Sequence, residues 1–309
     1  KDAIFFYQND LNLVKLHGMK AWNDKLKSVR FHEKLGSQYD RVERIVKIAV
    51  LLAKQFELEP DEVCNAATLI KADLVSNLVA EFPSLQGIMG AHYAEIEGCQ
   101  EMVSDAIRDH YLPGGSKDVV PRQPLSIVLA LSDKIDYLTC LWSIGIKPTG
   151  NKDPFALRRA SLGLLRIIVQ SNIDVDLKLA IHQAAKQLPT VDSHSLNSLC
   201  EQVHTYILER NVSAYKEQGI RIESYNAVAA LGLSNPLDID ARVIAVHRFS
   251  QRPEATTLAS ANKRVANILA KQANQPKALN PAALQDDAEI VLAGAIQRMQ
   301  GKVAPLIAE

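Results

Sequence analysis

Cysteine is scarce in this 309-residue chain, and its positions exclude several kinds of site. The four cysteines, Cys64, Cys99, Cys140 and Cys200, form neither a CxxC pair nor a Cys/His ligand spacing. Structural zinc sites and disulfide frameworks depend on such spacings, so both are disfavoured and reduced thiols are expected.

Long apolar runs are also missing. The longest, such as residues 48–53 and 127–131, are far shorter than the ~20 residues needed to cross a bilayer, so no membrane partner is expected. The chain opens on Lys1-Asp2-Ala3-Ile4, without an initiator methionine or a signal sequence. We therefore expect it to be part of a longer protein whose catalytic site lies elsewhere.

Net charge is absent too, because 35 basic residues face 35 acidic ones. Nucleic-acid-binding proteins usually carry a basic excess. Composition alone therefore argues against RNA binding, unless basic residues are gathered on one face, and no DNA partner is expected.

Helical periodicity dominates the chain. Val42, Ile45, Ala49 and Leu52 recur at three- and four-residue steps, which is typical of an amphipathic helix. No alternating strand pattern exceeds a few residues, so an all-α fold is predicted. Further helices are predicted at 61–81, 98–111, 122–143, 154–171, 176–187, 193–218, 221–231, 237–249, 254–272 and 285–305. Proline and glycine punctuation divides the chain near residues 145–153 and, less clearly, near 232–240.

A first group of polar residues resembles a degenerate HD domain, a helical metal-dependent phosphohydrolase. Such domains use a His on one helix, a His-Asp pair on the next and a distant Asp to hold a divalent ion that activates water. Gln38 stands where the first His belongs, and Ala72 precedes Asp73 where the second belongs. Only Asp73 and Asp133 remain, so catalysis is disfavoured and hydrogen bonding, or pairing with a base such as Lys134, is expected.

Two histidines could in principle replace the missing ligands. His92 and His110 lie between the two aspartates, and each precedes a tyrosine. A histidine in such a place is more often packed and hydrogen-bonded than bound to a metal, so no metal site is predicted.

A second group follows the loop near residue 150. Asp153-Pro154 is typical of a helix N-cap followed by proline at the first helical position. Arg158 and Arg159 come one turn later and could clamp a phosphate or an acidic partner. An exposed helix face with either arginine paired to a carboxylate is an equal alternative.

A third group lies on the helix predicted at 254–272. Lys263, Asn267 and Lys271 are spaced four apart on one face beside Arg264, while Val265, Ile268 and Leu269 mark another face. Cations and amides in such a row can contact phosphates and base edges. Surface helices often carry the same pattern, so a merely solvated face is the alternative.

Five segments together resemble the glycyl-tRNA synthetase β subunit. They are LGSQYDRVERI (35–45), KADLVSNLVAEFPSLQGIMGAHYA (71–94), SDKIDYL (132–138), KPTGNKDPFALRRASLGLLRII (147–168) and SANKRVANILAK (260–271). The order matches the family over nearly the whole chain, and the last segment is similar to the start of its anticodon-binding domain.

The resemblance implies a part of a cytoplasmic (or plastid) α2β2 class II enzyme that joins glycine to its tRNA using ATP and magnesium. The adenylate-forming site would lie on the α subunit, with no cofactor bound by this chain. Residues 1–150 would form a non-catalytic HD-like domain, 151–235 a helical connection and 236–309 an incomplete anticodon-binding bundle. Lys263, Arg264, Asn267 and Lys271 would face tRNA, and Arg158 and Arg159 would make interdomain or RNA contacts.

Two other functions stay open at this stage. One is an HD-type phosphohydrolase, against which Gln38 and Ala72 argue. The other is a scaffold that docks the α subunit, and it is compatible with RNA binding.

Overall fold

The computed structural model describes residues 2–115, 117–149, 152–270 and 284–308. Over these residues the secondary structure is helical apart from one two-stranded antiparallel sheet and an isolated bridge, so the predicted all-α fold is confirmed. The chain divides into two compact units, Lys1–Phe249 and Ser250–Glu309. No helix in the described ranges has the length and apolar character that a bilayer crossing demands.

The first half of the larger unit consists of three long helices, α1, α3 and α8 in the numbering below, and several shorter elements. Its helices α1 to α8 span Asp2–His17, Lys20–Lys25, Gln38–Ala53, Pro60–Leu69, Asn77–Glu81, Ile88–Glu97, Glu101–Asp109 and Pro124–Ser143. Strands β1 (Arg30–His32) and β2 (Gly36–Ser37) pair between α2 and α3. Short 3-10 turns lie at Leu26–Ser28, Lys54–Phe56, Ala72–Val75 and Pro83–Leu85.

Later helices complete the same unit and continue into the second. Helices α9 to α14 span Leu157–Gln170, Leu177–Ala185, Leu196–Glu209, Asn211–Glu217, Ile222–Ala229 and Pro236–Ser250. The second unit contains α15 (Pro253–Leu269) and α16 (Asp287–Ala308).

Helix α8 forms the centre of the larger unit. It packs against α3, α7, α9, α10 and α11, and its apolar residues from Leu125 to Leu141 are almost all buried. A helix that is apolar around most of its circumference must be enclosed by others. The two acidic side chains of α8, Asp133 and Asp136, are therefore buried in the core with it.

Helix α3 begins at a well-formed cap, which explains its sharp start. The Ser37 hydroxyl accepts from the backbone amide of Asp40 at 3.2 Å, and the Asp40 carboxylate accepts from the backbone amide of Ser37 at 2.7 Å. This reciprocal capping box satisfies two amides that the helix leaves free. In the helix that follows, Arg41 and Arg44 lie on the face that packs against α8.

Three predicted helices differ from the observed ones. The helix expected at 61–81 breaks after Leu69, because Asp73 folds back to accept from loop amides and Ser76 caps a new short helix at the amide of Val79. The one expected at 193–218 divides into α11 and α12. The helix expected at 154 begins only at Leu157, with Ala156 at its N-cap, so the predicted N-cap at Asp153 and first helical position at Pro154 are wrong. The Asp153 carboxylate still accepts from the first two amides of the helix.

Candidate functional sites: an exposed basic helix and a buried ionic cluster

Helix α15 carries the residues predicted to face RNA. Proline occupies its first position, where no amide hydrogen bond is lost, and Glu254 lies in the first turn, where its charge favours the helix dipole. Lys263, Arg264 and Asn267 are all exposed and line one surface depression together with Ser260 and Ile268. The structure therefore brings three of the four predicted residues together, whereas Lys271 lies outside the described residues.

The cations on α15 are available to a partner. Among the described residues, neither Lys263 nor Arg264 has an ion-pair partner. The apolar residues Val265 and Ile268 are also half exposed, at 52% each. No side chain described between residues 250 and 308 is buried, so this unit presents both a basic and an apolar surface.

The start of α9 places the predicted arginine pair at a cavity mouth. The Asp153 carboxylate accepts from the backbone amides of Leu157 and Arg158, at 2.9 Å each. This cap holds the first turn of α9 against α8. Arg159 is exposed and lines a cavity in the larger unit, while Arg158 is half-buried beside it.

Asp133 forms the centre of a buried ionic cluster. Its Oδ1 atom lies 2.9 Å from Nη2 of Arg41 and 3.0 Å from Nζ of Lys71. Burial disfavours the charged carboxylate, but Arg41 and Lys71 outweigh that effect and hold the pKa of Asp133 well below its usual range. Asp133 is therefore an anion whose oxygen is already shared by two cations.

Asp73 does not join Asp133 in a shared site. Its Oδ2 atom accepts from the backbone amides of Gly87 at 2.7 Å and Gly90 at 3.1 Å. Burial raises the pKa of this carboxyl, and the Gly87 hydrogen bond opposes part of the rise. Asp73 thus anchors the loop that leads into α6, and the expectation that it is hydrogen-bonded inside the bundle is confirmed by these contacts.

The bases beside the two aspartates are not the expected ones. Lys134 donates to the backbone carbonyls of Leu112 at 2.7 Å and His110 at 3.3 Å, so it closes the end of α7. Lys71, two residues before Asp73, reaches Asp133 instead. Burial lowers the pKa of both lysines to about 8, although Asp133 favours their charged forms.

Both histidines are hydrogen-bonded within the protein. His110 is buried, and its Nε2 atom lies 2.8 Å from Nζ of Lys71 while Nδ1 lies 2.7 Å from the carbonyl of Ile107. These partners fit a neutral ring that donates from Nδ1 and accepts at Nε2. Burial, with Lys71 beside it, lowers the pKa of His110 well below its usual value. His92 is hydrogen-bonded to the Tyr7 hydroxyl at 2.7 Å.

A second arginine–aspartate pair extends the cluster, and the sequence analysis missed it. Nε of Arg44 lies 2.7 Å from Oδ1 of Asp136, and Arg41 reaches the same carboxylate at 3.4 Å. A signal was present, because Arg41 and Arg44 lie three residues apart on the apolar stripe of α3. Asp133 and Asp136 have the same spacing within the apolar α8, which matches one pair of charges to the other.

This arrangement does not fit the divalent ion of an HD-type hydrolase. Such an ion needs several oxygen or imidazole ligands converging on one point. Asp133 is covered by two side-chain cations, Asp73 points to backbone amides, and His110 accepts from Lys71. Over the described ranges, no group of three His, Cys, Asp or Glu side chains is placed to hold a metal. The phosphohydrolase alternative therefore has no support.

Comparison with known proteins identifies the family. The sequence model described as "Glycyl-tRNA synthetase beta subunit" matches residues 1–230, which contain the whole ionic cluster and the start of α9. The chain belongs to the glycyl-tRNA synthetase beta subunit family. Helix α15 lies beyond the matched range, and relatives that align with nearly the full chain cover it.

Three of these relatives are glycine–tRNA ligase beta subunits from bacteria. The Chromohalobacter salexigens protein is 41% identical over 307 residues, and the Azotobacter vinelandii protein is 39% identical over 309. A Pseudomonas aeruginosa protein is 38% identical over 308 residues. The alignments cover 99–100% of this chain but only 44% of each relative. The chain thus spans less than half the length of the relatives it matches.

Proposed function

We propose that this chain is the tRNA-binding part of the beta subunit of a glycine–tRNA ligase, and that helix α15 contacts the tRNA. Family membership over the whole chain is the observation that carries the proposal. Lys263, Arg264 and Asn267 support it, because they form an exposed group without acidic partners among the described residues. Cations contact phosphates and an amide can read a base edge, so the group combines affinity with specificity.

In this proposal the complete enzyme is a cytoplasmic class II ligase of α2β2 composition that uses ATP and magnesium. The alpha subunit performs adenylation, and residues 236–309 form part of an anticodon-binding bundle. The HD-like region, residues 1–150, acts as a scaffold that docks the alpha subunit and does not hydrolyse phosphate esters. An all-α architecture is consistent with this division, because a class II adenylation site requires an antiparallel sheet.

The test is direct binding of the purified chain to glycine tRNA. A gel-shift titration compares that tRNA with one whose anticodon has been changed, and we expect tighter binding to the unchanged molecule. The same preparation should give no glycine-dependent ATP–pyrophosphate exchange. Equal binding to both tRNAs would place the anticodon contact outside this chain, and exchange activity would refute the assignment of adenylation to the alpha subunit.

A further inference from the structure

A cavity of about 320 Å³ opens beside the buried ionic cluster. Its wall contains the cations Arg41, Lys71, Lys134 and Arg159, contributed by α3, the turn after α4, α8 and α9. The only carboxylate among the described lining residues is Asp133. Four different elements of the fold therefore each place one basic side chain at the same cavity.

The positive charge of this wall is only partly balanced. Asp133 is shared by Arg41 and Lys71, and Lys134 contacts carbonyl oxygens rather than an acid. Asp136, behind the wall, is shared by Arg41 and Arg44. Buried charge that lacks a counter-charge is costly in a low-dielectric interior. An anion that enters the cavity would supply the missing negative charge.

Two of the four cations have donors left to bind such an anion. Arg41 uses Nη2 on Asp133, and among the described residues its Nη1 group has no hydrogen-bond partner. Arg159 stands exposed at the mouth with no partner among the described residues. Lys71 and Lys134 are already hydrogen-bonded and contribute mainly through their charge. The cavity thus has two guanidinium groups for binding and two ammonium groups for electrostatic attraction.

The volume of the cavity and its aromatic lining residues indicate which class of anion it can bind. The cavity is at the small end of the ~300–1,000 Å³ range of ligand sites. Phe155 lines the cavity and is 39% exposed, so it provides aromatic surface beside the cations. Aromatic rings stack on nucleobases. Guanidinium groups donate strong, charge-assisted hydrogen bonds to the oxygens of phosphate.

We infer that this cavity binds the phosphate group of a nucleotide, held by Arg41 and Arg159 and attracted by Lys71 and Lys134. Binding involves no bond cleavage, because no metal-activated water is available from this ligand set. All described lining residues of the cavity belong to the larger unit, and the inference goes beyond the proposed function. The nucleotide could be a free monophosphate or the phosphorylated end of an RNA, and the experiment distinguishes these sources.

Isothermal titration of the 309-residue chain with adenosine monophosphate tests the inference, with adenosine as the phosphate-free probe. We expect saturable binding of the monophosphate, competition by inorganic phosphate, and no binding of adenosine. The absence of saturable monophosphate binding up to about 10 mM would overturn the inference.

Arg159→Gln is the decisive variant, because its exposed side chain can change without disturbing the core. We expect it to weaken monophosphate binding about tenfold, since a hydrogen bond to a charged group is lost. Arg122→Gln removes another exposed cation that does not line the cavity and should bind as the unmodified chain does. Equal binding by all three proteins would exclude this cavity as the site.

Competition with short single-stranded RNA identifies the source. Displacement of the monophosphate by a 5′-phosphorylated oligonucleotide, but not by its unphosphorylated form, supports an RNA end. Binding of the monophosphate without displacement by either RNA supports a free nucleotide. Displacement of the monophosphate by both RNAs alike would contradict recognition of a terminal phosphate. If Arg159→Gln left that displacement unchanged, the result would exclude this cavity as the binding site. The anticodon comparison in the gel shift concerns α15, whereas monophosphate binding concerns the cavity, so either proposal can fail alone.

Discussion

Nζ of Lys71 lies 3.0 Å from Oδ1 of Asp133, and both side chains are almost completely buried. The lysine ammonium, together with the Arg41 guanidinium, takes the oxygen that an HD-type metal centre would need. A fixed organic cation thereby replaces an exchangeable inorganic one, and the cluster becomes part of the core. Its contribution to stability can be measured.

Removing the Lys71 charge should destabilise the protein strongly. Lys71→Met removes one of the two cations that share Oδ1 of Asp133 and leaves Arg41 as its partner. Loss of a buried hydrogen bond to a charged group typically costs about 1.5–3 kcal/mol. Lys178→Met is the matched control, because Lys178 pairs with Glu201 at 2.8 Å on the surface. Its cost should stay below about 1 kcal/mol. The free energies of unfolding of both variants are measured in urea. Equal decreases would show that the buried pair stabilises the protein no more than the surface pair does.

Metal analysis should find no stoichiometric zinc, manganese or iron in the purified protein. Two carboxylates without imidazole ligands bind such ions weakly, and here one oxygen of each carboxylate already accepts from protein donors. One equivalent of metal by mass spectrometry, absent from Asp73→Ala, would contradict the arrangement described for the cluster.

Substitutions on α15 should separate affinity from specificity in tRNA binding. Lys263→Ala should weaken binding and reduce its salt dependence, because a phosphate contact releases counterions. Asn267→Ala should reduce discrimination between anticodons, since its amide can read a base edge. Both residues are exposed, so stability should change by no more than about 0.5 kcal/mol.

Salt titrations of glycine tRNA binding make this comparison. Lys302→Ala is a suitable control, because Lys302 is an exposed cation on α16 outside the depression lined by Lys263. If both α15 variants bind like the unmodified chain at every salt concentration, the RNA surface lies elsewhere.

Acid should destabilise the protein partly through His204. Burial, with Lys178 nearby, lowers the pKa of this imidazole to about 4, against about 6.5 in an unfolded chain. Between these values the unfolded state binds a proton that the folded state does not. The free energy of unfolding should therefore fall as the pH drops from 6.5 to 4, by on the order of 3 kcal/mol from this residue.

His204→Gln isolates that effect. The pH dependence of its unfolding free energy should be flatter than that of the unmodified chain between pH 6.5 and 4. Parallel curves would mean that His204 is not protonated differently in the two states. His110, whose pKa is also lowered by burial, should continue to contribute in the variant.

Two helical glycines should respond oppositely to alanine. A Cβ atom at Gly90 would lie 2.8 Å from Cγ2 of Ile107 and 3.0 Å from Oδ2 of Asp73. Gly90→Ala should therefore cost about 1–3 kcal/mol through overpacking. At Gly301 in α16 no described atom lies within 4 Å of a Cβ, so Gly301→Ala should be neutral or stabilise by up to about 1 kcal/mol. Thermal unfolding distinguishes the two, and a neutral Gly90→Ala would show that the contact relaxes freely.

Local hydrophobic periodicity predicts much of the helical structure. Helix α8 was predicted at 122–143 and spans Pro124–Ser143, because nearly every residue in it is apolar and its proline marks the start. The basic row on α15 was also visible, since residues four apart share a helix face whatever surrounds them. The break in the helix after Leu69 cannot be predicted from periodicity, because it depends on tertiary hydrogen bonds from the amides of Gly87 and Gly90 to Asp73.

The sequence by itself determined the all-α class and the loss of the metal-ligand histidines, and its segments carried the resemblance to the family. Tertiary structure alone decided which charges meet. Arg41 and Asp133 are 92 residues apart in the chain, and the periodicity of α3 or α8 states only which face each residue occupies. Packing α3 against α8 brings those faces together, and the buried carboxylates of Asp133 and Asp136 are compensated by the arginines they meet there.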